Sequence, residues 1–152
     1  MRAVEVANEA FYRAIESADL DLLDAVVLDG AAADAVTSVH PGWPMLRGRS
    51  EVMRSFAAVM AGTPYIQFIL TDLDVRTVGD VAVVTCSENI LTGVERESDG
   101  STELGFAAGR VVATNVFRRT PTGWRLWVHH ASPVISPDDE DDDGDDDGDE
   151  KS

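Results

Sequence analysis

Lysine is nearly absent from this chain. Of 152 residues only Lys151 is a lysine, against eleven arginines. No basic stripe gathers anywhere, so a duplex-binding surface, which must displace counterions with clustered positive charge, is excluded. One cysteine, Cys86, excludes an internal disulfide and gives no sign of an oxidising compartment. No apolar run approaches the ~18–20 residues of a membrane span. The N-terminus has no apolar core of the signal-peptide kind. Also missing are an HExxH helix, a glycine-rich phosphate loop, a GxSxG elbow and a CxxC pair. These absences lead to the expectation of a cytoplasmic protein with no nucleic-acid or membrane partner.

Acid is abundant but unevenly placed. The net charge is −16, and residues 138–151 hold eleven of the acids with a single lysine. The body carries the other 17 acids and all eleven arginines. Like charges at that density repel and cannot bury a core. Residues 136–152 are therefore expected to be a disordered acidic tail on a single domain, residues 1–135. The tail also matches the spacing of a calcium-binding loop from Asp139 to Glu150. Such a match is nearly unavoidable in a run this acidic, and flanking helices are missing, so no metal is assigned.

Hydrophobic periodicity orders the body. Val4, Ala7, Phe11, Ala14, Ile15 and Ala18 recur at helical spacing and predict a helix over about residues 3–18. Asp19 is suited to cap a second, short helix carrying Leu20, Leu23 and Val27, with Gly30 as its stop. A short extended piece spans Ala35 to Val39. His40-Pro41-Gly42-Trp43-Pro44 then forces a turn. Ser50 is a candidate cap for a third helix, over Val52, Met53, Phe56, Val59 and Met60. Beyond Pro64 the pattern is strand: 65–78, 81–94, 105–119 and 123–134, with Gly79-Asp80 as a hairpin turn. Residues 95–104 are polar and read as a loop. Three helices followed by an antiparallel meander is an α+β arrangement, with the helices on one face of a curved sheet.

Strict alternation along the strands assigns faces. Ile69, Leu73, Val75, Val84, Cys86 and Ile90 are expected inward, and Asp72, Asp74, Arg76, Thr85 and Ser87 outward. In the last hairpin, Ala113, Asn115, Phe117, Trp124, Leu126, Val128 and His130 fall on the more apolar, inward side. Thr114, Val116, Arg118, Arg125, Trp127 and His129 fall outward. Asn115 and His130 are then the polar members of the core face.

Several stretches carry a resemblance: Phe11-Tyr12 before Ala18-Asp19-Leu20-Asp21, Val39-His40-Pro41-Gly42, Gly48-Arg49-Ser50, Asn115-Val116-Phe117-Arg118, and Trp124-Arg125-Leu126 leading to His129-His130-Ala131-Ser132. Together they resemble the SnoaL-like and ketosteroid isomerase-like branches of the nuclear transport factor 2-like superfamily, over about residues 3–134. The resemblance implies a cone of about three N-terminal helices on a strongly curved antiparallel sheet, the cystatin-like fold, with a pocket between them. It also implies a homodimer through the outer sheet face. In the isomerase branch the general base precedes the proline after the first short strand, a position held here by His40. The acid donor's position matches Asn115, and the donor tyrosine's position falls on Phe11, which cannot donate.

The candidate catalytic residues are therefore His40, Asn115 and His130, with Phe11, Tyr12, Trp43 and Tyr65 as substrate-binding residues. An imidazole carries protons near neutrality, and a carboxamide can donate to a developing oxyanion. Each residue has a structural alternative. His40 either carries a proton or bonds the loop backbone. Trp43 either plugs the mouth of the cone or lines a ligand. His130 is either a pocket acid–base or a satisfied core histidine. Two functions follow: a proton-transfer enzyme of isomerase, cyclase or dehydratase type acting on a small apolar molecule without a cofactor, or a non-catalytic dimerisation or ligand-binding module.

Overall fold

The computed structural model describes residues 2–98 and 100–135. Helix α1 (Arg2–Glu16) leads to α2 (Leu20–Val26), a 3-10 segment (Gly30–Ala35) and strand β1 (Thr37–Val39). Strand β2 (Leu46–Arg47) and helix α3 (Arg49–Gly62) follow, then four long strands: β3 (Ile66–Val78), β4 (Val81–Ser98), β5 (Ser101–Thr120) and β6 (Gly123–Pro133). They make one six-stranded sheet in the order β2-β1-β6-β5-β4-β3. The three helices pack on its curved inner face, an α+β fold of the expected cystatin-like kind. The acidic tail and the calcium-loop spacing within it lie outside the described residues.

Local chemistry explains most boundaries. The Asp19 carboxylate accepts from Leu22 N–H at 3.0 Å, capping α2. Helix α3 is capped by Gly48 instead of Ser50. Its φ of +90° is a region that glycine enters without a Cβ penalty. Gly48 N–H also donates to Val36 O at 2.7 Å, which pins the start of α3 against the end of the 3-10 segment.

Residues 95–98 and 101–104 are strand, where a loop was expected. β4 and β5 continue through them, pairing as far as Ser98 with Ser101. Once two strands are zipped along their apolar halves, the ladder bonds extend into a polar stretch, because backbone pairing does not depend on side-chain polarity. The other two hairpins pair Val78 with Val81 across Gly79-Asp80 and Arg119 with Trp124.

Two β-bulges change the faces derived from alternation. In β3, Thr71 pairs with Ser87 and Asp74 with Thr85, so Asp72 and Leu73 together oppose one residue of β4. Asp72 takes a φ of +56°, the left-handed conformation that Asp tolerates better than most residues. Val75 stays on the inner face. Upstream, however, Phe68 and Leu70 face inward and Ile69 is exposed on the outer face, while Leu73, within the bulge, is left 44% exposed.

In β6, Phe117 pairs with Leu126 and Val116 with Val128, leaving Trp127 as the extra residue. The phase reverses there. Leu126, His129 and Ala131 are buried, and His130 is exposed. The expectation of Val128 and His130 inside, with His129 outside, is thus corrected. A single inserted residue moves every later side chain to the opposite face.

The core closes between α1, α2, α3 and the inner faces of β4, β5 and β6. Phe11, Leu23, Val84, Phe117 and Leu126 are all within 1% of complete burial. Burying each such side chain contributes roughly 1.5–3 kcal/mol.

Candidate active site

The inner face of β4 runs Val84, Cys86, Glu88, Ile90, and the third of these is a carboxylate. Glu88 is 2% exposed. Opposite it, β5 and β6 bring Asn115 and His129 into register as direct partners. Helix α1 lays Asn8 and Tyr12, one helical turn apart, across these strands. The result is a continuous buried set of hydrogen bonds.

Tyr12 Oη donates to Glu88 Oε2 at 2.5 Å. Asn115 Nδ2 donates to Tyr12 Oη at 3.0 Å and to Asn8 Oδ1 at 2.9 Å. His129 Nδ1 lies 2.6 Å from Asn115 Oδ1. A carboxamide oxygen only accepts, so the Nδ1 proton belongs to His129. Its Nε2 is then the bare nitrogen and meets no hydrogen-bond partner among the described residues.

His40 approaches from the other side. β1 pairs parallel with β6, Ser38 beside His129, and the turn after Val39 carries the His40 ring over the same space. His40 Nε2 is 2.9 Å from Ser55 Oγ. Ser55 donates its own proton to Val52 O at 2.6 Å, so His40 Nε2 is the donor in that pair. The His40 ring stacks edge-on against Phe56 at 4.6 Å and Trp43 at 4.8 Å, and its centroid is 6.3 Å from that of His129.

These groups surround a cavity of about 230 Å³. Its walls are mostly apolar: Ile15, Pro41, Trp43, Phe56, Val59, Ile66, Phe68 and Ile90. Among its lining residues the titratable side chains are those of Glu88, His40 and His129. Burial sets their protonation. It raises the Glu88 carboxyl above the ordinary range, against the opposing pull of the Tyr12 hydrogen bond. It lowers His40, and it lowers His129 to about 3, with the nearby His40 and His130 acting in the same direction. Tyr12 is pushed far up by burial and by the neighbouring Glu88, so it stays a neutral phenol. A cavity that resists charge thus holds a carboxyl biased toward its protonated form and an imidazole biased toward its neutral form.

Of the residues expected at the site, His40 lines the cavity and Asn115 sits directly behind His129. Trp43 forms part of the wall while remaining 43% exposed, at the rim. Tyr12 reaches the cavity through Glu88. Phe11 is fully buried beneath His129, ring centroids 4.9 Å apart, and belongs to the core. Tyr65 lies away from the cavity, stacked on Phe106 and donating to Gln67. His130 stands on the outer face, beside Asp72, Thr85, Ser87, Thr114 and Ser132. Glu88 and His129 are the members absent from the expected set. Glu88 was legible, two residues beyond Cys86 on an inward face. His129 was hidden by the Trp127 bulge. Among the described residues no group of three or more His, Cys, Asp or Glu side chains is arranged to hold a metal ion. No helix among them is long and apolar enough to cross a membrane.

The model of the SnoaL-like domain matches residues 4–136. A crystal structure of a proposed dehydratase of the nuclear transport factor 2-like family from Streptomyces avermitilis is similar, with 53% identity and a TM-score of 0.82. That match covers 89% of this chain and 97% of the other. A proposed calcium/calmodulin-dependent protein kinase type II association domain from Thiobacillus denitrificans is 28% identical over 86% of this chain and 94% of the other, with a TM-score of 0.69. A proposed ketosteroid isomerase from Shewanella frigidimarina shares the fold at 17% identity and a TM-score of 0.62, over 86% and 94% of the two chains. No curated protein matches.

Proposed function

This chain belongs to the SnoaL-like domain family of the nuclear transport factor 2-like superfamily, and on that premise we propose that it is an acid–base enzyme that removes water from a small, mostly apolar molecule. The observation that carries this reading is the pairing of Glu88 and His129 across one apolar cavity. Glu88 Oε2 is occupied by the Tyr12 proton, so the proton of a neutral Glu88 rests on Oε1. That proton can pass to a departing hydroxyl. His129 Nε2 can take the proton from the adjacent carbon as the C–O bond breaks and the C=C bond forms. The imidazolium that develops is stabilised by the carboxylate that Glu88 becomes, so the cavity ends as neutral overall as it began.

His129 is a weak base, which suits a carbon proton already acidified by a neighbouring carbonyl. The volume is below the ~300–1,000 Å³ of pockets for drug-sized ligands, which favours a small substrate. The similarity to the Streptomyces avermitilis protein supports the same class of reaction.

The test is a metabolite screen by native mass spectrometry, followed by turnover of the hits and of small β-hydroxy carbonyl compounds, read as absorbance of the conjugated product. Glu88→Gln and His129→Gln should each lower kcat/KM by at least ~10². Full activity in Glu88→Gln would overturn the reading. Binding without turnover in the wild type would leave a ligand-binding module.

The outer sheet face supports a homodimer. It presents Ile69 at 56% exposure and Val112 at 46%, apolar area with no intramolecular cover.

A further inference from the structure

Behind the cavity, Asn8 touches neither substrate space nor solvent: it is 1% exposed, and its carboxamide oxygen accepts from Asn115 Nδ2. We propose that Asn8 is a positioning residue, which sets the tautomer of His129 by fixing which end of the Asn115 carboxamide faces the imidazole. The proposal rests on the acid–base reading for its consequence in turnover, not for the tautomer itself.

A carboxamide has an accepting end and a donating end, and Asn115 could present either to His129. With Oδ1 toward His129, as found at 2.6 Å, the ring must carry its proton on Nδ1, leaving Nε2 bare on a residue that lines the cavity. With Nδ2 toward His129 the requirement reverses: Nδ1 must be bare, Nε2 carries the proton, and the cavity meets a donor where a base is needed. The choice is made at the other end of Asn115. There, two acceptors, Asn8 Oδ1 at 2.9 Å and Tyr12 Oη at 3.0 Å, receive the two amide protons. Tyr12 alone does not decide, because its hydroxyl can rotate away from Glu88 and donate to a reversed amide. Asn8 supplies the second acceptor: with its Oδ1 toward Asn115, as found, a reversed Asn115 would set two carbonyl oxygens against each other, and escaping that clash takes a turn of Asn8 as well, together with loss of the Tyr12–Glu88 bond. Asn115 is completely buried, so water cannot repair the mismatch.

The test is the long-range ¹⁵N–¹H spectrum of the full-length protein without ligand, which distinguishes the two tautomers directly. The chain has three histidines, so His130→Gln and His40→Gln spectra assign His129. The wild type should show a proton on Nδ1. Asn8→Leu should shift the tautomer ratio about tenfold toward the Nε2–H form, the effect of one lost hydrogen bond. Asn8→Asp, which keeps the accepting oxygen, should hold the wild-type tautomer. A wild-type His129 protonated on Nε2, or an unchanged ratio in Asn8→Leu, overturns the proposal. If Asn8→Leu does not fold, appearance of the Nε2–H form in Asn8→Asp overturns it as well. With any substrate found, Asn8→Leu should lower kcat with little change in KM, and Asn8→Asp should not. A tautomer that responds as expected in a protein that turns nothing over would leave the positioning role standing and remove the acid–base reading.

Discussion

Replacing Asn115 with leucine tests the buried network at its hub. Asn115 is completely buried and makes three side-chain hydrogen bonds, to His129, Asn8 and Tyr12. Leucine is of similar size, so the substitution opens little cavity, and its effect is dominated by the polar groups left behind. Tyr12 keeps its bond to Glu88. The His129 Nδ1–H donor and the Asn8 oxygen lose their partners outright. An orphaned buried group costs about 1–3 kcal/mol, so the two together cost roughly 2–6 kcal/mol. A domain of this size has about 5–15 kcal/mol of stability in total. With a urea dependence of about 2 kcal/mol per molar, the unfolding midpoint should fall by roughly 1–3 M. Urea titration followed by tryptophan fluorescence measures this. Glu9→Gln, on the exposed side of α1 and away from the sheet, is the control and should move stability by less than ~0.5 kcal/mol. If Asn115→Leu matches that control, the network is not buried as described, and the burial of His129 and Glu88 fails with it. A loss of activity in Asn115→Leu would also need this stability measurement beside it, because the hub holds the fold as well as the site.

Acid should weaken the fold through His129. Its pKa is lowered to about 3 in the folded state, so between the ordinary histidine value of ~6.5 and about 3 the unfolded chain takes up a proton that the folded chain refuses. The stability contributed by His129 therefore falls as pH drops through that window. Glu88, raised by burial, acts in the opposite sense, so the check is the difference in urea midpoint between wild type and His129→Gln, which should shrink from pH 7 to pH 4. Ile69→Asp combined with Val112→Asp should turn a dimer into a folded monomer in sedimentation velocity; a wild-type monomer refutes the outer-face interface. Deleting residues 138–152 should leave the melting temperature unchanged in moderate salt, because the core is complete between Val4 and Ala131; a large drop would make the tail part of the fold.

What the residue pattern determined by itself was whatever depends on neighbours in the chain. The 3.6-residue period of Val4, Phe11, Ala14 and Ile15 makes α1 amphipathic wherever it lands. Asp19 caps α2 by a contact three residues away. Gly79-Asp80 and the Thr120–Gly123 turn set their hairpin registers locally. The order of elements then leaves little choice but helices on one face of an antiparallel sheet, and both His40 and Asn115 were legible as inward or near-pocket residues from that order.

Tertiary structure decided the parity of the strands. A bulge forms where two strands of a bent sheet must differ in length by one residue, and that depends on sheet curvature and on what packs beneath. Nothing in Leu126-Trp127-Val128 marks Trp127 as the residue left over, yet it exchanges His130 for His129 at the cavity. Asp72-Leu73 does the same for Ile69 and Phe68. The partners of Tyr12 were out of reach for a related reason: Glu88 lies 76 residues away and Asn115 lies 103 residues away. Only the packing of α1 across β4 and β5 brings the three together, and burial there biases Glu88 toward its protonated form and His129 toward its neutral form.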